Sequence, residues 1–322
     1  MAMTAKKLTD VVTGSAGFLG ARLVEVIAES GNSVVGYDNF DRGVVSIKNV
    51  YDTANSLHKF VVGDILDFER LKTVIHSGVN RVYHMAALPS HRLALERPHD
   101  YMSVDLQGTV NVLEAARLCN PKPLVIFASS NKVYGKQECP WREDKAPKPE
   151  GPYALAKFSA EQLCEMYTKY FDVPTLIIRY HHVAGPRSNP ELALSIFVEQ
   201  AMKNETLQVH GKQTSTGWES CSANYTHVDD AIRATLLAAD KYTGFDIFNV
   251  AHEKTITVES MANWVIKRFA NSKSYIDRVD MLPHETLVHA SDVSKAKDRL
   301  GFRAELSAEQ AFADYVEWRL NQ

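Results

Sequence analysis

Tyr153 and Lys157 stand four residues apart in Tyr153-Ala-Leu-Ala-Lys157, a spacing that puts two side chains on one face of a helix. A phenol titrates near pH ~10 in water, and a neighbouring ammonium favours its ionised form. A tyrosine so placed can exchange a proton with a substrate hydroxyl close to neutral pH. The reaction that this proton accompanies is indicated far upstream, in Thr13-Gly14-Ser15-Ala16-Gly17-Phe18-Leu19-Gly20. Glycines at this spacing let the backbone approach a pyrophosphate, whose charge the N-terminus of a following helix favours. Asp38 falls 18 residues after Gly20, where a carboxylate can take the adenosine ribose hydroxyls. Proton exchange beside a bound dinucleotide is hydride chemistry. A carboxylate at this place repels a 2′-phosphate, so NAD is expected over NADP, with Arg42 the one nearby cation that argues the other way.

These residues need a parallel sheet to position them. In the first half of the chain short apolar runs alternate with helical patterns, which implies an α/β fold with a doubly wound parallel (Rossmann) sheet. Strands are expected at Thr9–Thr13, 33–37, 59–62, 81–85, 124–129 and 175–179, and helices over 18–30, 101–119 and 153–171. The glycine run then lies between the first strand and its crossover helix, and Asp38 closes the second strand. Beyond Gly185 the rhythm loosens into a helix at 191–203, a polar loop at 211–224, a helix at 229–239 and a strand at 245–250. The division this predicts is an NAD-binding domain over 1–183, to which 225–250 returns, and a smaller C-terminal substrate domain from 184–224 and 251–322.

Composition narrows the function classes. The 322 residues are 45% hydrophobic and 23% charged, as in an ordinary globular protein with an adequate core. A net charge of −3 gives no support for nucleic acid or an anionic membrane as partner, and Lys6-Lys7 is only a short basic start. No apolar run approaches the ~18 residues of a membrane span, and no signal-peptide core follows Met1. Cys119, Cys139, Cys164 and Cys221 are widely spaced with no CxxC pair. They read as reduced thiols of a cytoplasmic protein. His181-His182 is not read as a metal site, because neighbours on a strand point to opposite faces and no third ligand lies at a suggestive spacing.

Taken in order, the motifs resemble those of the extended short-chain dehydrogenase/reductases, in the branch of NAD-dependent sugar epimerases and dehydratases. Val62-Gly63-Asp64-Ile65 is similar to that family's adenine-contacting acid, and Tyr83-His84-Met85-Ala86-Ala87 to its pyrophosphate- and nicotinamide-lining segment. Val104-Asp105-Leu106-Gln107-Gly108-Thr109 resembles a motif that usually carries Asn where Asp105 stands. Ser129-Ser130-Asn131-Lys132-Val133-Tyr134-Gly135 is similar to the segment with the catalytic Ser or Thr, which puts that role on Ser130. Arg179–Arg187 and Val228-Asp229-Asp230 are the later landmarks. The resemblance implies Ser130, Tyr153 and Lys157 as catalytic residues. It implies Gly14, Gly17, Phe18, Leu19, Gly20, Asp38, Asn39, Asp64, Ile65, Ala86, Ala87, Asp105, Tyr153, Lys157 and His181 as contacts of NAD. Substrate contacts are expected from Ser130, Asn131, Tyr153 and His182, and a homodimer from pairing of the 101–119 and 153–171 helices, with Val112, Ala115, Ala116, Ala160, Leu163 and Tyr167 on their apolar faces.

Departures from the pattern shape the expected reaction. Dehydratases of this branch carry Asp-Glu after the catalytic Ser or Thr. This chain has Asn131-Lys132, similar to a segment of CDP-sugar 2-epimerases, so dehydration is not expected. The family's Arg-Asp-Phe, whose arginine holds the nucleotide diphosphate, reads Ala223-Asn224-Tyr225 here, with no arginine between Arg187 and Arg233. His182 stands for an asparagine that usually contacts the substrate, and Lys212 and Arg278 are candidate replacements for the missing cation. The expected function is an NAD-dependent epimerase of a sugar, nucleotide-linked by resemblance, working through a transient keto intermediate. One alternative is a dehydrogenase or reductase of a sugar or other alcohol with net cofactor turnover, which the missing arginine favours. The other is a dinucleotide-sensing regulatory protein, against which the intact Ser130, Tyr153 and Lys157 argue.

Overall fold

Asp10-Val11-Val12-Thr13 is rich in β-branched residues, which fit a pleated and buried surface, and it forms the middle of a sheet. A computed structural model of the protein describes residues 9–41, 58–269, 271–281 and 286–322. Lys6, Lys7 and Arg42 lie outside the described residues. The sheet strands are β1 (Thr9–Thr13), β2 (Ser33–Asp38), β3 (His58–Val62), β4 (Val79–His84), β5 (Leu124–Ser130), β6 (Thr175–Tyr180) and a seventh, Asp246–Val250. Their order is Asp246–Val250, β6, β5, β4, β1, β2, β3. The β1–β2, β1–β4, β2–β3 and β4–β5 pairs are all parallel. This is the doubly wound α/β arrangement the alternating pattern implies, with strand order reversing between β1 and β4, where such sheets take ligands at their carboxyl ends.

By its contacts the chain divides into two units. One comprises Met1–Gly135, Pro147–Arg179 and Ile232–Phe248, and the other Lys136–Ala146, Tyr180–Ala231 and Asn249–Gln322. In the first, Val11, Val82, Val125, Phe127 and Ile177 of the sheet are buried against Val112, Ala116, Ala160, Cys164 and Tyr167 of the covering helices. The second has its own core, built from Phe197, Val198, Met261, Val265, Phe312 and Tyr315.

Two segments differ from the expected pattern. The helix foreseen over 101–119 is α-helical at Pro98–Tyr101, widens into a π turn at Met102–Gln107, and is α-helical again at Gly108–Arg117. Close packing at Gly108 accompanies the widening: a Cβ there would lie 2.3 Å from Ile65 Cδ1. The polar loop foreseen at 211–224 is mostly a hairpin, Leu207–Thr214 with Gly217–Ser220, in which Thr214 faces Gly217 across Ser215-Thr216. Leu207 and Val209 are buried while Gln208 between them is exposed, so the strand announces itself by alternation ahead of the polar stretch. Ile276–Asp280 pairs with the other edge of Leu207–Thr214.

Val112, Ala115, Ala116, Ala160 and Tyr167, expected on a dimer face, are all buried in the first unit's own core. Helical period identifies an apolar face but not its neighbour. The apolar side chains these helices expose are Leu155, Tyr170 and Phe171, with Leu118 just beyond Gly108–Arg117.

Candidate active site

The glycine run is a turn that no larger side chain fits. Gly14 has φ +69°, and a Cβ on it would sit 2.5 Å from Ala86 N, while one on Gly20 would sit 2.1 Å from Gly14 O. Gly17 starts the Phe18–Glu29 helix with no side-chain cap and no acid in the first turn. The end of that helix therefore keeps its partial positive charge for an anion. Phe18 and Leu19 form its first turn.

Asp38 closes β2 beside this turn. Its carboxylate accepts hydrogen bonds from Ala16 N (2.9 Å) and Phe40 N (2.7 Å), which ties the acid to the glycine run itself. Burial pushes its carboxyl up, and those backbone donors pull it back down. Asn39 donates to Asp64 Oδ2 (2.9 Å), and Asp64 Oδ1 accepts from Leu66 N (2.8 Å). Asp38, Asn39, Asp64 and the glycine turn thus converge, with buried Ile65 next to Asp64. This set fits a dinucleotide: a cradle where Cβ atoms would collide with backbone, an uncapped helix start, and acids for ribose hydroxyls. NAD is expected to bind at least about tenfold more tightly than NADP, since a 2′-phosphate meets the Asp38 charge at short range. Asp38→Ala should narrow the gap. Calorimetric titration of both cofactors checks this, and equal affinities in the unaltered protein refute it.

Behind the cradle a chain of hydrogen bonds crosses β1 and β4. Thr13 Oγ1 contacts His84 Nδ1 (2.8 Å), His84 Nε2 contacts Thr109 Oγ1 (3.0 Å), and Thr109 Oγ1 donates to Asp105 O (2.7 Å). Ala86 N donates to Thr13 Oγ1 (3.4 Å). Burial, and the charge of Lys157 after it, pushes His84 down to about 3, so the ring is neutral. Because Thr109 spends its proton on Asp105 O, it must accept from His84 Nε2–H, and Nδ1 must accept from Thr13. Every proton in the chain is thereby assigned.

Ser130 ends β5 and caps the short 3₁₀ helix Asn131–Tyr134, accepting from Lys132 N (3.2 Å). Tyr153 and Lys157 lie on the buried face of Gly151–Phe171. The Ser130 hydroxyl acts on the Tyr153 phenol, and the Tyr153 ring packs edge-on against Tyr101 at 6.2 Å. Burial pushes the phenol up from its usual range, the Ser130 hydroxyl lowers it, and Asp105 and Tyr101 raise it further. Lys157 Nζ donates to Ala128 O (3.0 Å) and sits over the Phe127 ring. Burial lowers the lysine, while Asp105, Glu161 and Cys164 raise it. The structure therefore brings Ser130, Tyr153, Lys157 and Asp105 together. Asn131 joins them, with Oδ1 near Ser130 Oγ (3.4 Å) and Nδ2 buried without a hydrogen-bond partner.

Sequence reasoning passed over a second buried network on the same helix. Glu161 follows Lys157 by one turn and takes two hydrogen bonds from Arg179, Nε to Oε1 (2.9 Å) and Nη2 to Oε2 (2.6 Å). Ser129 Oγ donates to Glu161 Oε1 (2.5 Å), and Arg179 Nη1 donates to Tyr134 Oη (2.8 Å). The signal was present in the helical spacing from Tyr153 to Lys157 to Glu161, which gives the buried face three polar residues.

His181 and His182 belong to the second unit. His181 contacts Ser291 Oγ (2.7 Å), and its ring packs near Trp141. His182 has left-handed backbone, φ 31°, and its ring lies between Tyr225 and His289. Ala223 is buried in that unit's core. Of the two candidate cations, Arg278 is bonded to Glu259 (2.7 Å) and Lys212 is paired across the hairpin with Glu219. Among the described residues no cluster of three or more His, Cys, Asp or Glu can hold a metal. No helix there is long and apolar enough to cross a membrane, and all four cysteines are free.

A glycine-cradled dinucleotide site beside a Ser–Tyr–Lys cluster on a doubly wound sheet defines an extended short-chain dehydrogenase/reductase. Residues 11–251 match the profile of the NAD dependent epimerase/dehydratase family, and the chain belongs to that family. A UDP-glucuronate 4-epimerase of Thermodesulfobacterium geofontis is 30% identical over 316 residues, 96% of this chain and 95% of its own. A UDP-N-acetyl-alpha-D-glucosaminuronate decarboxylase of Bacillus cytotoxicus is 30% identical over 333 residues, 96% of each chain. The crystal structure of UDP-glucuronic acid 4-epimerase from Bacillus cereus, in complex with UDP-glucuronic acid and NAD, has a TM-score of 0.87 at 26% identity, covering 98% of this chain and 99% of that one. The chain is thus an NAD-dependent enzyme of the nucleotide-sugar epimerase type. Epimerisation is the reading these relatives support over net oxidation and over a regulatory role.

Proposed function

We propose that the chain inverts carbon 4 of a UDP-linked hexose or hexuronate. The observation that carries this is the buried Ser130–Tyr153–Lys157 cluster followed by Asn131-Lys132, a site equipped for proton exchange but without the acids that expel water. Carbon 4 and the uridine nucleotide come from the UDP-glucuronate 4-epimerases to which the chain is similar over nearly its whole length. NAD supplies the acceptor, and then the donor, for the hydrogen on that carbon. Gly14, Gly17, Gly20, Asp38, Asn39 and Asp64 would hold it.

Tyr153 takes the proton of the 4-hydroxyl, with Lys157 one turn along favouring the phenolate. Ser130 donates to the same oxygen and stabilises the charge that develops on it. The proton later returns from Tyr153 to that oxygen once the keto sugar presents its other face. The sugar must therefore turn within the pocket while its nucleotide stays fixed. Asn131 Nδ2, a buried donor beside Ser130, is assigned to a sugar oxygen, as buried donors are seldom left unmade. His182 is assigned to the substrate, and Lys212 and Arg278 remain the candidate diphosphate cations.

The test is proton NMR of UDP-glucuronate, UDP-glucose and CDP-, GDP- and dTDP-sugars with the NAD-loaded protein. Inversion at carbon 4 of a UDP-sugar without net NADH is expected. Stoichiometric NADH from non-nucleotide alcohols alone would replace this reading with the dehydrogenase. We also place the enzyme in the cytoplasm as a homodimer, joined through the outward faces of the Gly108–Arg117 and Gly151–Phe171 helices, where Leu155, Tyr170 and Phe171 are exposed. Light scattering should return twice the 36.0 kDa of one chain, and a mass of one chain at micromolar concentration rejects the dimer.

A further inference from the structure

Asp105 is a buried acid in the interior around Tyr153. It is 1% exposed and lies in the π turn Met102–Gln107, which packs against the Gly151–Phe171 helix. Its Oδ1 accepts from Leu88 N (2.8 Å), and its Oδ2 is buried with no hydrogen-bond partner. Its backbone carbonyl accepts from Thr109 Oγ1 (2.7 Å). Asp105 and Lys157 act on each other, and Asp105 also acts on the Tyr153 phenol. The other acid that Lys157 senses, Glu161, is held by Arg179 and Ser129. The remaining titratable groups facing this spot are Tyr101 from the preceding turn, Cys164 from the long helix, and His84 from β4. Burial holds the Cys164 thiol protonated and the His84 ring neutral.

We propose that Asp105 is a positioning residue for the proton transfer: its buried carboxylate, on the turn packed against the helix of Tyr153, disfavours the phenolate of Tyr153 by like charge. The chain then transfers its proton at a higher pH than it would with the family's usual asparagine at this place. Burial pushes the Asp105 carboxyl up to about 6, so its charge is in place throughout the range in which the phenol acts. The inference depends on Tyr153 being the proton-transferring group and not on which sugar the enzyme inverts.

Tyrosine labelled with carbon-13 at Cζ, in the NAD-loaded protein, reads the phenol directly. Tyr153 is identified among the 13 tyrosines by the resonance missing from Tyr153→Phe. Asp105→Asn keeps an acceptor for Leu88 N–H and removes the charge, so the Tyr153 midpoint should fall by about one pH unit. Asp105→Ala should move it in the same direction. An unchanged midpoint in both variants overturns the proposal, as does a change in Asp105→Ala alone, which would mark a structural role for the Leu88 bond. The unaltered protein gives an independent reading: as Asp105 ionises, the Tyr153 resonance should show a small second step that Asp105→Asn lacks, and the same step in both proteins overturns the proposal. None of these readings uses a sugar, so a wrong substrate assignment leaves them intact.

Discussion

Tyr153→Phe is expected to lower turnover by ~10²–10⁴-fold, the usual contribution of a positioned acid–base group, while the protein folds and binds NAD as before. The ring is 9% exposed and packs on Tyr101, and phenylalanine keeps that packing. Only the hydroxyl that meets Ser130 is removed. The measurement is the rate of carbon-4 inversion at saturating UDP-sugar, alongside the thermal midpoint and NAD affinity. A variant of full activity would show that the proton leaves by another route and would dissolve the role given to the Ser130–Tyr153–Lys157 cluster.

Arg179→Met should destabilise the protein by about 3–5 kcal/mol, because it strands the Glu161 carboxylate in the interior. Arg179 and Glu161 are 2% and 1% exposed, so water cannot take over from the guanidinium. The sign of the pH response follows. In the variant, an unpaired buried carboxyl binds its proton more tightly folded than unfolded. Its folded pKa then lies above the ~4.3 of an unfolded glutamate, so the penalty is largest at neutral pH and shrinks as pH falls. Urea unfolding at pH 7.5 and 5.5 checks both size and direction. Replacing both partners, Arg179→Met with Glu161→Leu, should recover most of the loss. A single variant as stable as the unaltered protein at pH 7.5 would mean that the pair contributes nothing.

The glycine run, Asp38 and the Tyr153–Lys157 spacing were legible in the sequence because each is a local device whose geometry follows from neighbours in the chain. The sheet was legible for the same reason, through runs such as Asp10–Thr13. What the sequence did not disclose depends on contacts distant along it. Nothing in Val104-Asp105-Leu106 encodes a π turn; packing of Gly108 on Ile65 and the Leu88 N–H on Asp105 accompany it. The apolar stripe of Val112 and Ala116 declared a buried face but not that the face meets its own sheet. Glu161 was visible one turn beyond Lys157, yet its partner Arg179 lies on β6. The 211–224 stretch was misread because a short, polar hairpin tip has the composition of a loop.

Neither compact unit is a continuous stretch of sequence. The backbone passes between them five times, at the junctions after residues 135, 146, 179, 231 and 248, and β6 and the Asp246–Val250 strand each run across one of these junctions. Such a molecule has no modular seam. Neither lobe can be excised, expressed alone or exchanged with a relative's by a single splice, and a break after residue 146, 179 or 231 divides both lobes at once. New specificity in this architecture must accumulate residue by residue within one inherited frame.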